Sequence, residues 1–203
     1  QQYRMHPEIM AFSNQYFYQG LLQTDPSIFV RPLKFENSTL FIDTAGCGYD
    51  ETLNKETLST FNQDEAHFTI NQLNNFVIGI NKPEDYSYAI IAPYKAQVEL
   101  LRYFLSELKY PSKIFKRISI NSVDAFQGQE RDIVFISLTR SNAQGIIGFL
   151  SEEKRLNVAM TRAKYKLLLI GDSATLSRHV FFDKLIQHYQ SENNYKSAFE
   201  FLH

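Results

Sequence analysis

Residues 133–138 read Ile133-Val134-Phe135-Ile136-Ser137-Leu138, nearly continuous in apolar side chains and half of them β-branched. A run this short and this apolar predicts a strand buried on both faces. The stretch Leu167 to Ile170 repeats the signal downstream. Between the two, residues 152–164 place Leu156, Ala159, Met160 and Ala163 at i, i+3, i+4 and i+7, the stripe of an amphipathic helix. Upstream, Ala89-Ile90-Ile91-Ala92 is an apolar run bounded by Tyr88 and Pro93, and a helix is expected over about 95–108. Ile118, Ile120 and Ser122 then alternate with Ser119, Asn121 and Val123. Short apolar strands alternating with helices predict an α/β fold, a parallel sheet with helices on both faces.

The same logic extends to both ends. Pro7 suits the first position of a helix over residues 7–19, with Ile9, Phe12 and Tyr16 on one face and Gly20 as terminator. Leu40-Phe41-Ile42 is a strand candidate, and residues 62–79 return to helical spacing through Phe68, Leu73, Phe76 and Val77. A last helix carries Phe182, Leu185, Ile186 and Tyr189, so residues 173–203 read as a helical extension of a single domain over 1–203. With 203 residues and 44% hydrophobic content the chain can bury one substantial core.

Several classes drop out. No run of about eighteen apolar residues marks a membrane span, and no charged-then-apolar leader marks secretion, so an intracellular, cytoplasmic protein is expected. Cys47 is the only cysteine and lies in a turn-like Ala45-Gly46-Cys47-Gly48 without nearby histidine, so neither a disulfide nor a metal site is expected there. The net charge of −1 conceals a division: residues 95–166 hold thirteen Lys/Arg against seven Asp/Glu, while residues 1–94 hold five against eleven. The middle segment would face an anionic partner or, equally, form a solvated charged surface.

Ligands of open parallel sheets gather at the carboxyl ends of strands. Three polar stretches follow predicted strands: Pro93-Tyr94-Lys95-Ala96-Gln97, residues 124–132, and Thr139-Arg140-Ser141-Asn142. On the helix predicted over 152–164, Arg155 and Arg162 lie seven apart and project to one side, where a guanidinium can fork onto phosphate oxygens or form a surface ion pair.

Taken together, Gln2-Tyr3-Arg4-Met5-His6-Pro7, Ala92-Pro93-Tyr94-Lys95-Ala96-Gln97, Ser122-Val123-Asp124-Ala125-Phe126-Gln127-Gly128-Gln129-Glu130-Arg131-Asp132 and residues 155–163, in this order, closely resemble the second, C-terminal RecA-like domain of superfamily 1 helicases. The branch is the up-frameshift-like one that also holds the immunoglobulin-mu-binding helicases. Thr139-Arg140-Ser141-Asn142 and Gly148-Phe149-Leu150 belong to the likeness, which runs from Gln2 to about Asp172.

The resemblance implies ATP as cofactor with Mg²⁺, single-stranded DNA or RNA as partner, and travel from the five-prime to the three-prime end. It implies that Tyr3 stacks on adenine, that Arg4 meets the γ-phosphate, that Gly128 lets backbone approach the nucleotide, and that Glu130 accepts from the ribose. Arg162 would be an arginine finger, a role that elsewhere contributes roughly 10³–10⁵ in rate. Tyr94, Lys95, Ser122, Val123, Asp124 and Arg140 would lie along the nucleic-acid track, where phosphates dominate affinity.

No Gly-Lys pair occurs in the chain, so the phosphate-cradling G-x-x-x-x-G-K-[ST] loop is missing from it. In the resembling family that loop, the Mg²⁺-holding acids and the catalytic glutamate sit in the N-terminal RecA-like domain of the same protein. The chain is therefore expected to be a piece of a larger helicase, inactive alone. The rival expectation is a non-catalytic RecA-like binding or docking module; a free-standing enzyme of another sheet family lacks the Gly-rich turn it needs. Gln63-Asp64-Glu65-Ala66-His67 spells an acidic box of another helicase superfamily, but no apolar strand precedes it. Asn62 as the N-cap of a helix, with acids in its first turn, explains the same letters.

Overall fold

A computed structural model describes residues 5–23, 37–126 and 128–202. In chain order the elements are α1 (Pro7–Tyr18), β1 (Thr39–Asp43), β2 (Thr52–Leu53), β3 (Thr60–Phe61), α2 (Gln63–Gly79), β4 (Tyr88–Ala92), α3 (Lys95–Glu107), α4 (Ser112–Phe115) and β5 (Ile118–Ser122). They continue with β6 (Arg131–Ser137), α5 (Glu153–Met160), β7 (Ala163–Gly171), α6 (Ser173–Leu176), α7 (Val180–Ser191) and β8 (Tyr195–Ser197). Six strands form one sheet in the order β5-β4-β6-β7-β1-β8, every pair parallel.

The stretch Ile133–Ser137 is the centre of that sheet, paired on one side with β4 through Phe135↔Ile90 and on the other with β7 through Phe135↔Leu168. Because side chains alternate along a strand, the apolar run feeds two cores at once. Val134, Ile136, Leu167 and Leu169 pack with Ile9 and Phe12 of α1, Leu156 and Met160 of α5, and Phe181, Phe182 and Leu185 of α7. Ile133, Phe135, Leu168 and Ile170 pack on the opposite face with Phe68 and Leu73 of α2 and Val98 and Leu101 of α3. The expected parallel sheet with helices on both faces is what the chain forms.

The Asn62 side chain accepts a hydrogen bond from Glu65 N at 3.0 Å and caps α2, so the acidic-box letters are a helix start. In α1, Pro7 takes the first turn, and the chain leaves through Gln19 at φ 53° and Gly20 at φ 76°. Among the described residues no helix is long and apolar enough to cross a membrane.

Two expectations are corrected, and one pair of strands was not foreseen. The helix predicted to reach residue 164 stops at Met160, and Ala163 already pairs with Arg131 as the first residue of β7. Sheet pairing overrides a helical stripe that happened to continue through one alanine. The C-terminal segment is more than helical: Tyr195–Ser197 adds a sixth strand alongside β1, with the Tyr195 and Phe41 rings stacked at 5.6 Å and 6°. The antiparallel pair β2–β3 had no sequence signal, since two-residue strands carry no periodicity.

Candidate functional site

An all-parallel sheet has a carboxyl edge, where strands end, and an amino edge, where they begin. The polar residues singled out in the sequence divide between the two. The chain leaves β5 at Ser122, turns through Asp124–Phe126, and enters β6 at Arg131, so residues 124–131 travel from one edge to the other. The expectation that this whole stretch lies at strand carboxyl ends is thus corrected: Gly128 and Glu130 belong to the amino edge. Helix α5 makes the same journey, with Arg155 near its start and Arg162 just past its end, on a turn rather than on the helix face.

At the amino edge, Arg131 N donates to Arg162 O at 3.0 Å and His6 N donates to Lys164 O at 3.0 Å, which tethers the segment before α1 beside the starts of β6 and β7. Arg162 is 9% exposed; its Nε donates to Val158 O at 2.9 Å and its Nη2 to Thr161 Oγ1 at 3.3 Å. Glu130 and Lys164 lie 3.7 Å apart, each partly exposed. Gly128 sits at φ +80°, a conformation that L side chains rarely adopt. Tyr3 and Arg4 lie outside the described residues.

At the carboxyl edge the charges are largely satisfied inside the protein. Arg140 is 8% exposed; its Nε donates to Glu51 Oε2 at 2.8 Å and its Nη1 to Tyr94 Oη at 3.0 Å. Burial acts against the guanidinium's charge, and the hydrogen bonds to Glu51 and Tyr94 more than offset it, leaving its pKa above the ordinary value. Glu51 Oε2 also accepts from Ser141 N at 2.8 Å and Asn142 Nδ2 at 3.0 Å. Tyr94, 5% exposed, donates its hydroxyl proton to Ile147 O at 3.2 Å. Both residues point inward, where their nearest polar partners are protein groups. Lys95 is the exposed one, its side chain 85% accessible and 3.9 Å from Glu99. Ser122 is half-buried at the tip of β5, Val123 is buried, and exposed Asp124 pairs with Arg155.

Sequence reasoning missed Glu65. This residue of α2 is fully buried beneath the loop that leaves β6; its Oε1 accepts from Ser137 Oγ at 2.6 Å and from Thr139 N at 2.7 Å, while Oε2 is buried without a hydrogen-bond partner. Burial pushes its pKa up to about 7, against the two hydrogen bonds, with Asp172 and Glu51 adding to the rise. The bonds hold Thr139 at φ 73°, an outlier for a β-branched residue. Gln97 completes the network, donating to Asn62 O at 3.1 Å and Ser137 Oγ at 2.9 Å. Glu65 read as a first-turn acid, and nothing local distinguishes one that is exposed from one that is buried.

Among the described residues no group of three or more His, Cys, Asp or Glu is arranged to hold a metal. The Cys47 thiol is pushed up by burial and by Asp43 and Asp172, which disfavours a reactive thiolate. A cleft of about 560 Å³ between α1 and α7 is lined by none of the residues named at either edge.

A family described as AAA domain matches residues 1–174. Similar proteins include "DNA-binding protein SMUBP-2" of Mus musculus, 36% identical over 99% of this chain and 20% of its own length. "Helicase sen1" of Schizosaccharomyces pombe is 37% identical over 91% of this chain and 11% of its own length. This chain belongs to the AAA-domain family of superfamily 1 helicases. Its fold is RecA-like α/β. The fold agrees with the crystal structure of the C-terminal domain of a possible DNA helicase from Lactobacillus plantarum, at TM-score 0.54 and 15% identity over 98% of this chain and 99% of that one. The chain spans a fifth or less of the length of the two named relatives.

Proposed function

We propose that this chain is the C-terminal motor domain of an ATP-dependent DNA or RNA helicase that works inside the cell. In this reading the amino edge is half of an ATP site and the carboxyl edge half of a single-strand track. The N-terminal RecA-like domain of the same protein supplies the other halves. The observation that carries the reading is the sorting of residues: Gly128, Glu130 and Arg162 converge at one edge, and Lys95, Ser122 and Asp124 at the other. Helix α5 spans the gap, its eight residues covering roughly 12 Å. A relative named as DNA-binding and another named as a helicase point the same way.

The donor set at the amino edge fits half of a nucleotide site. Arg162 offers a permanent positive charge, suited to charge that develops on transferring phosphoryl oxygens. Its hydrogen bonds to Val158 O and Thr161 Oγ1 fix the guanidinium at the end of α5. Glu130 would accept from a ribose hydroxyl, and Gly128 would let backbone come close. Tyr3 and Arg4 would complete this lip from the segment that His6 tethers to β7. ATP bound here with Mg²⁺ would supply the free energy for closure between the two domains. The Mg²⁺ ligands are assigned to the N-terminal domain.

The test is ATP hydrolysis by the full-length protein with and without a single-stranded oligonucleotide, wild type against Arg162→Ala. Strand-dependent turnover that falls roughly 10³-fold or more while nucleotide still binds is expected. Turnover indifferent to Arg162 would transfer the assignment to a non-catalytic docking module.

A further inference from the structure

We propose that Phe149 is a stacking platform for a base of the single strand, and that Tyr94 and Arg140 serve as its mount. This rests on the helicase reading above and names the residue that meets the strand at the carboxyl edge. Phe149 is 57% exposed, a large aromatic ring presented to solvent beside the ends of β4, β5 and β6. Its backbone is nevertheless tightly held. Phe149 N donates to Tyr94 Oη at 3.2 Å, and the same hydroxyl accepts from Arg140 Nη1 at 3.0 Å and donates to Ile147 O at 3.2 Å. That uses the one donor and both acceptor sites of a phenol.

Arg140 is itself anchored on Glu51, and its guanidinium lies 5.7 Å from the Tyr94 ring centroid. The Tyr94 and Phe149 rings are 5.5 Å apart at 41°. Between them passes Gly148 at φ +53°, where an added Cβ would sit 2.4 Å from Arg140 Nη1 and 2.5 Å from Tyr94 Oη. Only glycine fits there without displacing the clamp.

Other rings are as exposed, Tyr103 and Phe199 among them, but Phe149 stands out in being held rigidly by a buried clamp, which suits a surface on which a flat ligand can stack. Its surroundings choose the partner. Pro93, Val123 and Leu156 wall the cleft beside it together with Arg155, Lys154 shares the adjoining cleft with Val123 and Arg155, and Lys95 opens the helix after Tyr94. Asp124 and Glu152 pair with Arg155 and Glu99 lies 3.9 Å from Lys95, so the ring sits in a mixed-charge surround in which Lys154, Lys95 and Arg155 can exchange their exposed partners for phosphates, and stacking of this kind accepts any base. The two residues expected from sequence to touch the strand are thus placed one layer beneath the one that does.

The experiment measures affinity of the full-length protein for a short oligothymidine and for the same strand made abasic, alongside strand-stimulated ATP turnover. Phe149→Ala and Phe149→Leu are expected to weaken oligothymidine binding roughly tenfold and to leave the abasic strand unaffected. Phe149→Trp should restore affinity. Thermal melting checks that each variant is folded. Wild-type affinity in folded Phe149→Ala, with strand-stimulated turnover intact, overturns the platform while leaving the motor standing, and a ring that docks a protein partner would give this result. Loss in Phe149→Leu equal on both strands also overturns it. A wild-type protein that neither binds the strand nor responds to it removes the motor reading and the platform together.

Discussion

The two edges of the sheet hold their charges in different ways. At the carboxyl edge, Glu51 and Glu65 lie under the loop that leaves β6, and between them they accept five hydrogen bonds, from Ser137, Thr139, Arg140, Ser141 and Asn142. At the amino edge, Glu130 and Lys164 form a looser pair at 3.7 Å, both partly exposed, beside buried Arg162, whose contacts include hydrogen bonds donated to Val158 O and Thr161 Oγ1. A buried, multiply bonded charge cannot leave its partners without a large penalty, whereas a partly solvated one exchanges them readily. The carboxyl edge holds its charges in a buried network, while at the amino edge the Glu130–Lys164 pair is the part open to solvent and Arg162 is as buried as Arg140.

The sharpest way to break this contrast is Arg162→Ala at the amino edge. Under the proposed arginine-finger reading, turnover of the full-length protein should drop about 10³-fold or more while nucleotide still binds, and any melting shift would trace to the lost hydrogen bonds to Val158 and Thr161. At the carboxyl edge the order reverses. Glu51→Ala strands a buried guanidinium and two loop donors, and should cost about 3–5 kcal/mol of stability, read from denaturant midpoints. A loss below about 1 kcal/mol would mean that the loop is not anchored there.

Glu65 sharpens the comparison through pH. Its folded-state pKa of about 7 is above the ordinary 4.5, so the folded protein binds the proton more tightly than the unfolded chain. The stability this contributes is complete below about 4.5 and is lost as pH rises through about 7. Glu65→Gln, always neutral, should flatten that slope in unfolding measured across the window; parallel wild-type and variant curves would show that the carboxyl titrates normally. The smallest effect belongs to Lys95→Ala. Removing its exposed pair with Glu99 should leave stability unchanged, while the salt dependence of strand binding should lose about one phosphate contact. An unaltered salt slope would take Lys95 off the track.

Much of this was legible in the linear chain. The doubly buried strands at Ile133–Ser137 and Leu167–Ile170, the cap at Asn62 and the motif order all depend on local pattern, and local pattern is what a sequence displays. What escaped were consequences of distance along the chain. Glu65 meets Thr139 across 74 residues and Glu51 meets Arg140 across 89, so a first-turn acid and a loop acid became buried acceptors that no spacing rule could identify. Tyr94 and Arg140 looked like surface contacts because tyrosine and arginine so often are. Burial turned them inward and left Phe149, an apolar letter in an apolar-looking stretch, as the exposed ring. The sequence by itself determined which elements form and which family's motifs they carry, since hydrophobic period and short motifs are properties of neighbours. Which edge each functional residue reaches, and whether it faces solvent or another residue, only the tertiary structure decided, because parallel strand order and long-range packing bring together groups that the chain keeps far apart.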